Sequence, residues 1–378
     1  MSYLRQSGIL GTVAVGMLCA VGATRAEAQS IGPPPVFKVD PGWIPQLPAD
    51  ETLGEIPGVA VDANDHVWIL QRPGSLAANV NWAAKNPVGA KCCKPGPAVI
   101  ELDSSTGKVL RSWGGPGWDH WPPGGGEHGI HIDHDGNVWI AGYGKAANGR
   151  EENGIIKYTP DGKLMLQLGG TTMSTTGLDP NAFGRPTQFA ENPKTNELFI
   201  ADGYLNRRII VFDLETGKYK RMWGAYGKPP NEGLRVAPLP AASGSVTSPN
   251  FNTIHGVAVT TDGLVYGADR VNDRIQVFKE DGTYVKQFVL APDTLYFGSV
   301  WSVAWSPVYP DYLLVIDGMN NQLDVLNRHD GKMVESFGRD GPYAGQFHWV
   351  HQLAVDSHGN VYTVEVSGGH RVQKWVLQ

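Results

Sequence analysis

Six stretches of this chain repeat one layout: a start residue, a short alternating apolar run, a polar turn, and a second apolar run. The copies begin at Pro57, His128, Thr187, His255, Trp301 and His351, and the clearest, NFNTIHGVAVTTDGLVYGADRVNDRIQVF, spans 250–278. After five of them a further strand pair follows, as in AVIELDSSTGKVLRSWGG and RIQVFKEDGTYVKQFVL. Each unit therefore reads as four short strands joined by tight turns of the D-G, T-G or N-G kind.

A period of roughly 45 to 70 residues with four strands per unit is the signature of a propeller blade. Six units predict an all-β, six-bladed β-propeller. A two-sheet sandwich gives no reason for one template to recur six times. The 48 glycines and 27 prolines, without a G-X-Y period, fit the many turns such a ring needs. The last unit stops at RVQKWVLQ with no fourth strand, while VFKVDPGWIPQL at 36–47 is an extended stretch with no blade of its own. Pairing the two closes the ring and removes two open sheet edges.

The first 28 residues carry Arg5, an apolar stretch from Ile9 to Ala23, and Ala26-Glu27-Ala28. That is the three-part pattern of a secretory leader with an A-x-A cleavage site, and the stretch is short of the ~20 residues a membrane span needs. The expectation is a single propeller domain over 29–378, periplasmic or secreted and monomeric. Cleavage leaves only Cys92 and Cys93, for which an oxidising compartment predicts a structural vicinal disulfide. A net charge of -6 gives no electrostatic footprint for nucleic acid. Two insertions, 73–96 and 228–252, are long for a compact domain and are expected on the face where substrate enters.

Aligned on the start position, the units read Pro57, His128, Thr187, His255, Trp301, His351: a histidine on every second blade. Alternate blades of a six-fold ring are related by near three-fold rotation, and the innermost strands line the central channel. Three imidazoles thus converge on the axis, an arrangement that binds catalytic zinc with an open fourth position, and that other divalent ions also accept. His66, His134 and His358 fall in polar turns instead. A second column, at the far end of the second strand, reads Arg72, Tyr143, Gly203, Arg270, Gly318 and the neighbourhood of Val366, with Tyr204 one residue on. Arginines there suit a substrate carboxylate or a developing oxyanion. Their alternative is an ion pair with a repeat aspartate such as Asp202 or Asp269. Tyr204 is a candidate base beside a cation or metal.

Taken together, HG at His128, ADGYLNRRI around Tyr204, IHGVAV at His255, ADRVNDRIQVF around Arg270, VHQ at His351 and the early Arg72 resemble peptidyl-α-hydroxyglycine α-amidating lyase, built on NHL-type repeats. The resemblance implies zinc on His128, His255 and His351, Tyr204 as the base that takes the proton of the substrate hydroxyl, and Arg72 and Arg270 holding the substrate carboxylate and steadying the tyrosinate. The reaction it implies is cleavage of a carbinolamide C–N bond to an amide and glyoxylate. Three positions depart from the family: Gln352 replaces an aspartate that helps hold a structural calcium, Trp349 replaces a pocket methionine, and Leu205 replaces a disulfide cysteine. A metal-dependent hydrolase and a non-catalytic binding module are the alternative readings of the same scaffold.

Overall fold

The computed structural model describes residues 1–3 and 31–378, except 78–79, 119, 123–125, 146–150, 170–176 and 231–244. The chain divides into two units, Met1–Gly32 and Pro33–Gln378. Nearly all of the first, and with it the expected leader, lies outside the described residues; the second holds the propeller. Among the described residues no helix is long and apolar enough to cross a membrane.

Pro33–Gln378 contains six four-stranded antiparallel sheets. Their innermost strands are Glu55–Val61, Glu127–Ile132, Pro186–Asn192, Ile254–Val259, Val300–Trp305 and Val350–Val355. Each packs against the next, and the sixth returns to the first, so the blades form a closed ring. Closure is the predicted one. Phe37–Val39 pairs antiparallel with Val372–Leu377, placing Phe37 opposite Leu377 and Val39 opposite Trp375. Blade six thereby gains its fourth strand from the other end of the propeller.

The sequence pattern follows from burial. Second strands such as ELFIAD at Glu197–Asp202 and YLLVID at Tyr312–Asp317 are covered on both faces and are buried throughout. The outermost strand Leu164–Gly169 alternates half-buried and exposed residues. Between neighbouring blades lie apolar layers; Trp68, Trp113, Trp121, Ile130 and Tyr158 fill the one between blades one and two. Turn carboxylates anchor the large indoles: Trp68 donates to Asp62 and Trp139 to Asp133, each at 3.0 Å.

Two repeated features position the site. In all six blades the ladder between the first two strands slips at the start residue: between Glu55 and Gly58, Glu127 and Gly129, Pro186 and Phe189, Ile254 and Gly256, Val300 and Ser302, Val350 and Gln352. An irregularity of this kind breaks the strict alternation of faces and re-aims a side chain, and it does so at the aligned column. The second feature is a buried ion pair at the rim, Asp202–Arg208 in blade three and Asp269–Arg274 in blade four. These aspartates hold arginines of the third strand and leave Arg72 and Arg270 to other partners.

Candidate metal centre and active site

The three column histidines meet on the ring axis. Their ring centroids are 5.0 Å apart for His128–His255 and 4.9 Å for each of the other two pairs, a nearly equilateral triangle. One ligand atom from each lies within 4.8 Å of the others. All three are buried. Nδ1 of His255 donates to the Trp301 carbonyl at 2.6 Å, and Nδ1 of His351 to the Pro57 carbonyl at 2.7 Å. A carbonyl only accepts, so the proton sits on Nδ1 and the Nε2 lone pair is free for a ligand, the usual outer support of a metal-binding histidine. His128 breaks the symmetry. Its buried Nδ1 has no hydrogen-bond partner, while its Nε2 lies 3.2 Å from the Tyr204 hydroxyl.

Burial, then the charge of neighbouring groups, holds these imidazoles in the neutral form that binds metal. His128 lies well below its ordinary value through burial and the adjacent His351. His255 does so through burial and Arg270, and His351 is pushed down to about 3 by burial and Arg72. Three neutral nitrogens in a triangle, oriented by two backbone carbonyls and lacking any buried carboxylate between them, fit a borderline-soft divalent cation such as zinc. At the position where the resemblance implies a calcium-binding aspartate, Gln352 is buried with its Nε2 unpartnered, so the charged ligand is missing there.

Tyr204 joins the two columns. Its hydroxyl lies 3.2 Å from Nε2 of His255 as well as of His128, and accepts from Nη1 of Arg270 at 3.1 Å. Arg270 is buried, its Nε donates to the Phe297 carbonyl at 2.9 Å, and its guanidinium lies 3.9 Å from the ring centroid of Trp301. Arg72 is placed differently. It donates to Glu55 at 2.7 Å and to the Glu127 carbonyl at 2.8 Å, so a carboxylate outside the aspartate repeat already shares its charge.

Sequence reasoning missed several groups. Tyr143, though in the second column, was not singled out; its ring lies 5.9 Å from both His128 and Tyr204, and burial, then Tyr204, pushes its phenol up to about 12. Arg185 sits over the Tyr143 ring at 5.1 Å. The usable signal was positional. Arg185, Thr253 and Trp349 each stand two residues before a start residue and share left-handed backbone, with φ of 64°, 67° and 56°. Non-glycine residues are strained there, and such strain gathers at functional sites.

The first insertion leaves directly from Arg72, with Ser75 Oγ bonded to the Arg72 carbonyl and Lys94–Pro95 paired to Glu51–Thr52. Cys92 and Cys93 in it are disulfide-bonded, as expected. The second lies largely outside the described residues, but its end returns beside Arg270, where Asn272 bonds the Asn250 carbonyl. The described start of the first insertion and the described end of the second therefore lie beside Arg72 and Arg270. Among the described residues the remaining candidate cluster joins Asp62 and His66 of a blade-one turn to Glu101 on the strand Val99–Leu102, and its acids already hold Trp68 and Arg111.

The sequence has relatives of known kind. Over 323 residues it is 27% identical to the peptidylglycine alpha-amidating monooxygenase of Rattus norvegicus, covering 82% of this chain and 29% of that one. It is also 27% identical to peptidyl-alpha-hydroxyglycine alpha-amidating lyase 2 of Drosophila melanogaster, over 74% of this chain and 61% of that one. The chain thus spans about a third of the length of the amidating monooxygenases it matches. A solved streptogramin B lyase shares the fold, with a TM-score of 0.51 at 14% identity over 90% of this chain and 98% of that one. No family model matches. The resemblance carried by the motifs therefore extends over most of the chain.

Proposed function

We propose that this chain is a zinc-dependent lyase that cleaves the C–N bond of a carbinolamide bearing a carboxylate, after export and removal of residues 1–28. The observation that carries the reading is the position of the Tyr204 hydroxyl, 3.2 Å from the nitrogens of two of three converging histidines and 3.1 Å from a buried guanidinium. A tyrosine used only for packing needs neither neighbour.

His128, His255 and His351 would hold the zinc ion, which supplies Lewis acidity to the substrate hydroxyl oxygen. Tyr204 takes the hydroxyl proton. As the C–O bond becomes a carbonyl, the electron pair of the C–N bond leaves with nitrogen, and Tyr204 returns the proton to it. The products are an amide and an α-oxo acid, glyoxylate for a hydroxyglycine substrate, and no water is consumed. Arg270 donates to the phenol oxygen throughout and steadies the charge it carries between the two transfers. Arg72, tied to Glu55, places the substrate carboxylate at the rim.

The test pairs metal analysis with kinetics on a hydroxyglycine-terminated peptide. Wild-type protein is expected to carry one zinc per chain and to lose turnover on chelation. Tyr204→Phe is expected to keep the metal and lose on the order of 10²–10⁴-fold in kcat. Full activity in the chelated protein or in Tyr204→Phe sinks the reading.

A further inference from the structure

We propose that Trp301 is a positioning residue for the reaction, holding the Arg270 guanidinium against Tyr204 with its indole face. This rests on the lyase reading above. Blade five carries neither a column histidine nor a second-column arginine. Its start residue instead serves both halves of the site. The Trp301 carbonyl accepts from Nδ1 of His255 at 2.6 Å, fixing the ring that faces the metal position. Its side chain lies under Arg270, with the guanidinium carbon 3.9 Å from the ring centroid, closer than the 5.0 Å to Phe297 or the 5.8 Å to Tyr204.

The indole is itself locked. Nε1 donates to the Gly298 carbonyl at 2.7 Å, and the Trp349 and Phe297 rings pack against it at 5.5 Å and 6.3 Å. The space it occupies is made by Gly318, the second-column residue of the same blade: a Cβ there would stand 2.2 Å from Trp301. The column that gives Arg72 in blade one and Arg270 in blade four is empty in blade five because an indole fills it. A guanidinium carries five donors in a rigid planar fork, and a flat aromatic face fixes the orientation of that plane while leaving the edge free to donate. Nε goes to Phe297 and Nη1 to Tyr204, so the plane set by Trp301 aims the second bond. A desolvated stack of this kind is strong enough for its loss to cost on the order of tenfold to thirtyfold in rate.

The experiment compares Trp301→Ala and Trp301→Phe in the metal-loaded protein. Because the bond to His255 comes from the backbone, both variants should keep the metal. Trp301→Ala is expected to lose about tenfold to thirtyfold in kcat/KM for a carboxylate-bearing carbinolamide, and Trp301→Phe, which restores a flat face, to recover most of it. Gly318→Ala, which displaces the indole without altering its chemistry, should move in the same direction. Unchanged kinetics in Trp301→Ala, or metal lost in step with activity, overturns the proposal. Wild-type protein inactive on carbinolamides would defeat the lyase reading separately. The Arg270 Nε–H resonance, assigned by its loss in Arg270→Lys, then decides. It should lose its protection from solvent exchange in Trp301→Ala but not in Trp301→Phe, and equal protection in all three proteins refutes the role.

Discussion

Blade five also breaks the rim ion pair, and that break is measurable. Opposite Asp202 stands Arg208 and opposite Asp269 stands Arg274, but opposite Asp317 stands Gln322. Asp317 is 3% exposed, and among the described residues its oxygens accept from Asn320, at 3.0 Å from the backbone and 2.7 Å from the side chain. Burial, reinforced by Asp324 and Asp273, pushes its carboxyl from 3.8 up to about 7. The unfolded chain gives up this proton near pH 4 and the folded chain near pH 7. Between those values the native state holds a proton that the unfolded state has lost, so stability falls as pH rises and the loss is complete above the upper value. At 1.36 kcal/mol per pH unit the ceiling is about 4 kcal/mol. Gln322→Arg supplies the missing cation. Asp269 is still raised by burial with Arg274 beside it, so only part of the ceiling is recoverable, about 2 kcal/mol at pH 8. Urea denaturation of the mature chain at pH 5 and pH 8 measures it. The variant should gain at pH 8 and gain nothing at pH 5, where Asp317 is already neutral; Asp317→Asn should follow the same pattern. An equal effect at both pH values, or a loss at pH 8 in both variants, refutes the reasoning.

Ring closure predicts a larger effect at the other end of the chain. Phe37 is buried edge-on against Tyr309 and Phe337 at 6.0 and 5.6 Å, so Phe37→Ala should cost about 3–5 kcal/mol; the exposed edge of Val372–Leu377 should also promote aggregation, seen by light scattering. For the chemistry, turnover in ¹⁸O-labelled water separates C–N lysis from hydrolysis: initial product, trapped before carbonyl exchange, should contain no label, and stoichiometric label means a hydrolase.

The ring itself was legible because every blade pays the same geometric constraint with the same residue types. Four buried or half-buried strands per unit force the apolar runs, the turns force Gly, Asn and Asp, and the missing last strand leaves an orphan stretch that Phe37–Val39 answers. The histidine column was legible for a related reason. Residues that share a register position share a direction in space, so His128, His255 and His351 converge without any further information.

What stayed hidden depends on contacts that no period encodes. The slipped ladder at each start residue is a backbone event, and Pro57, Thr187 and Trp301 occupy it as readily as histidine does. Two of those three lend a carbonyl to a histidine of the preceding blade, Trp301 to His255 and Pro57 to His351. A carbonyl belongs to every residue, so sequence cannot mark this role. Likewise the pairing of Arg72 with Glu55 joins partners on two strands whose register is displaced by the slip, and the aspartates that looked like its partners face Arg208 and Arg274 instead. The even blades carry the three histidines, and two of the odd blades hold two of those rings through backbone carbonyls. An alignment of side chains registers the first set and is blind to the second, which is why Trp301 reads as a gap in the column although it touches both His255 and Arg270.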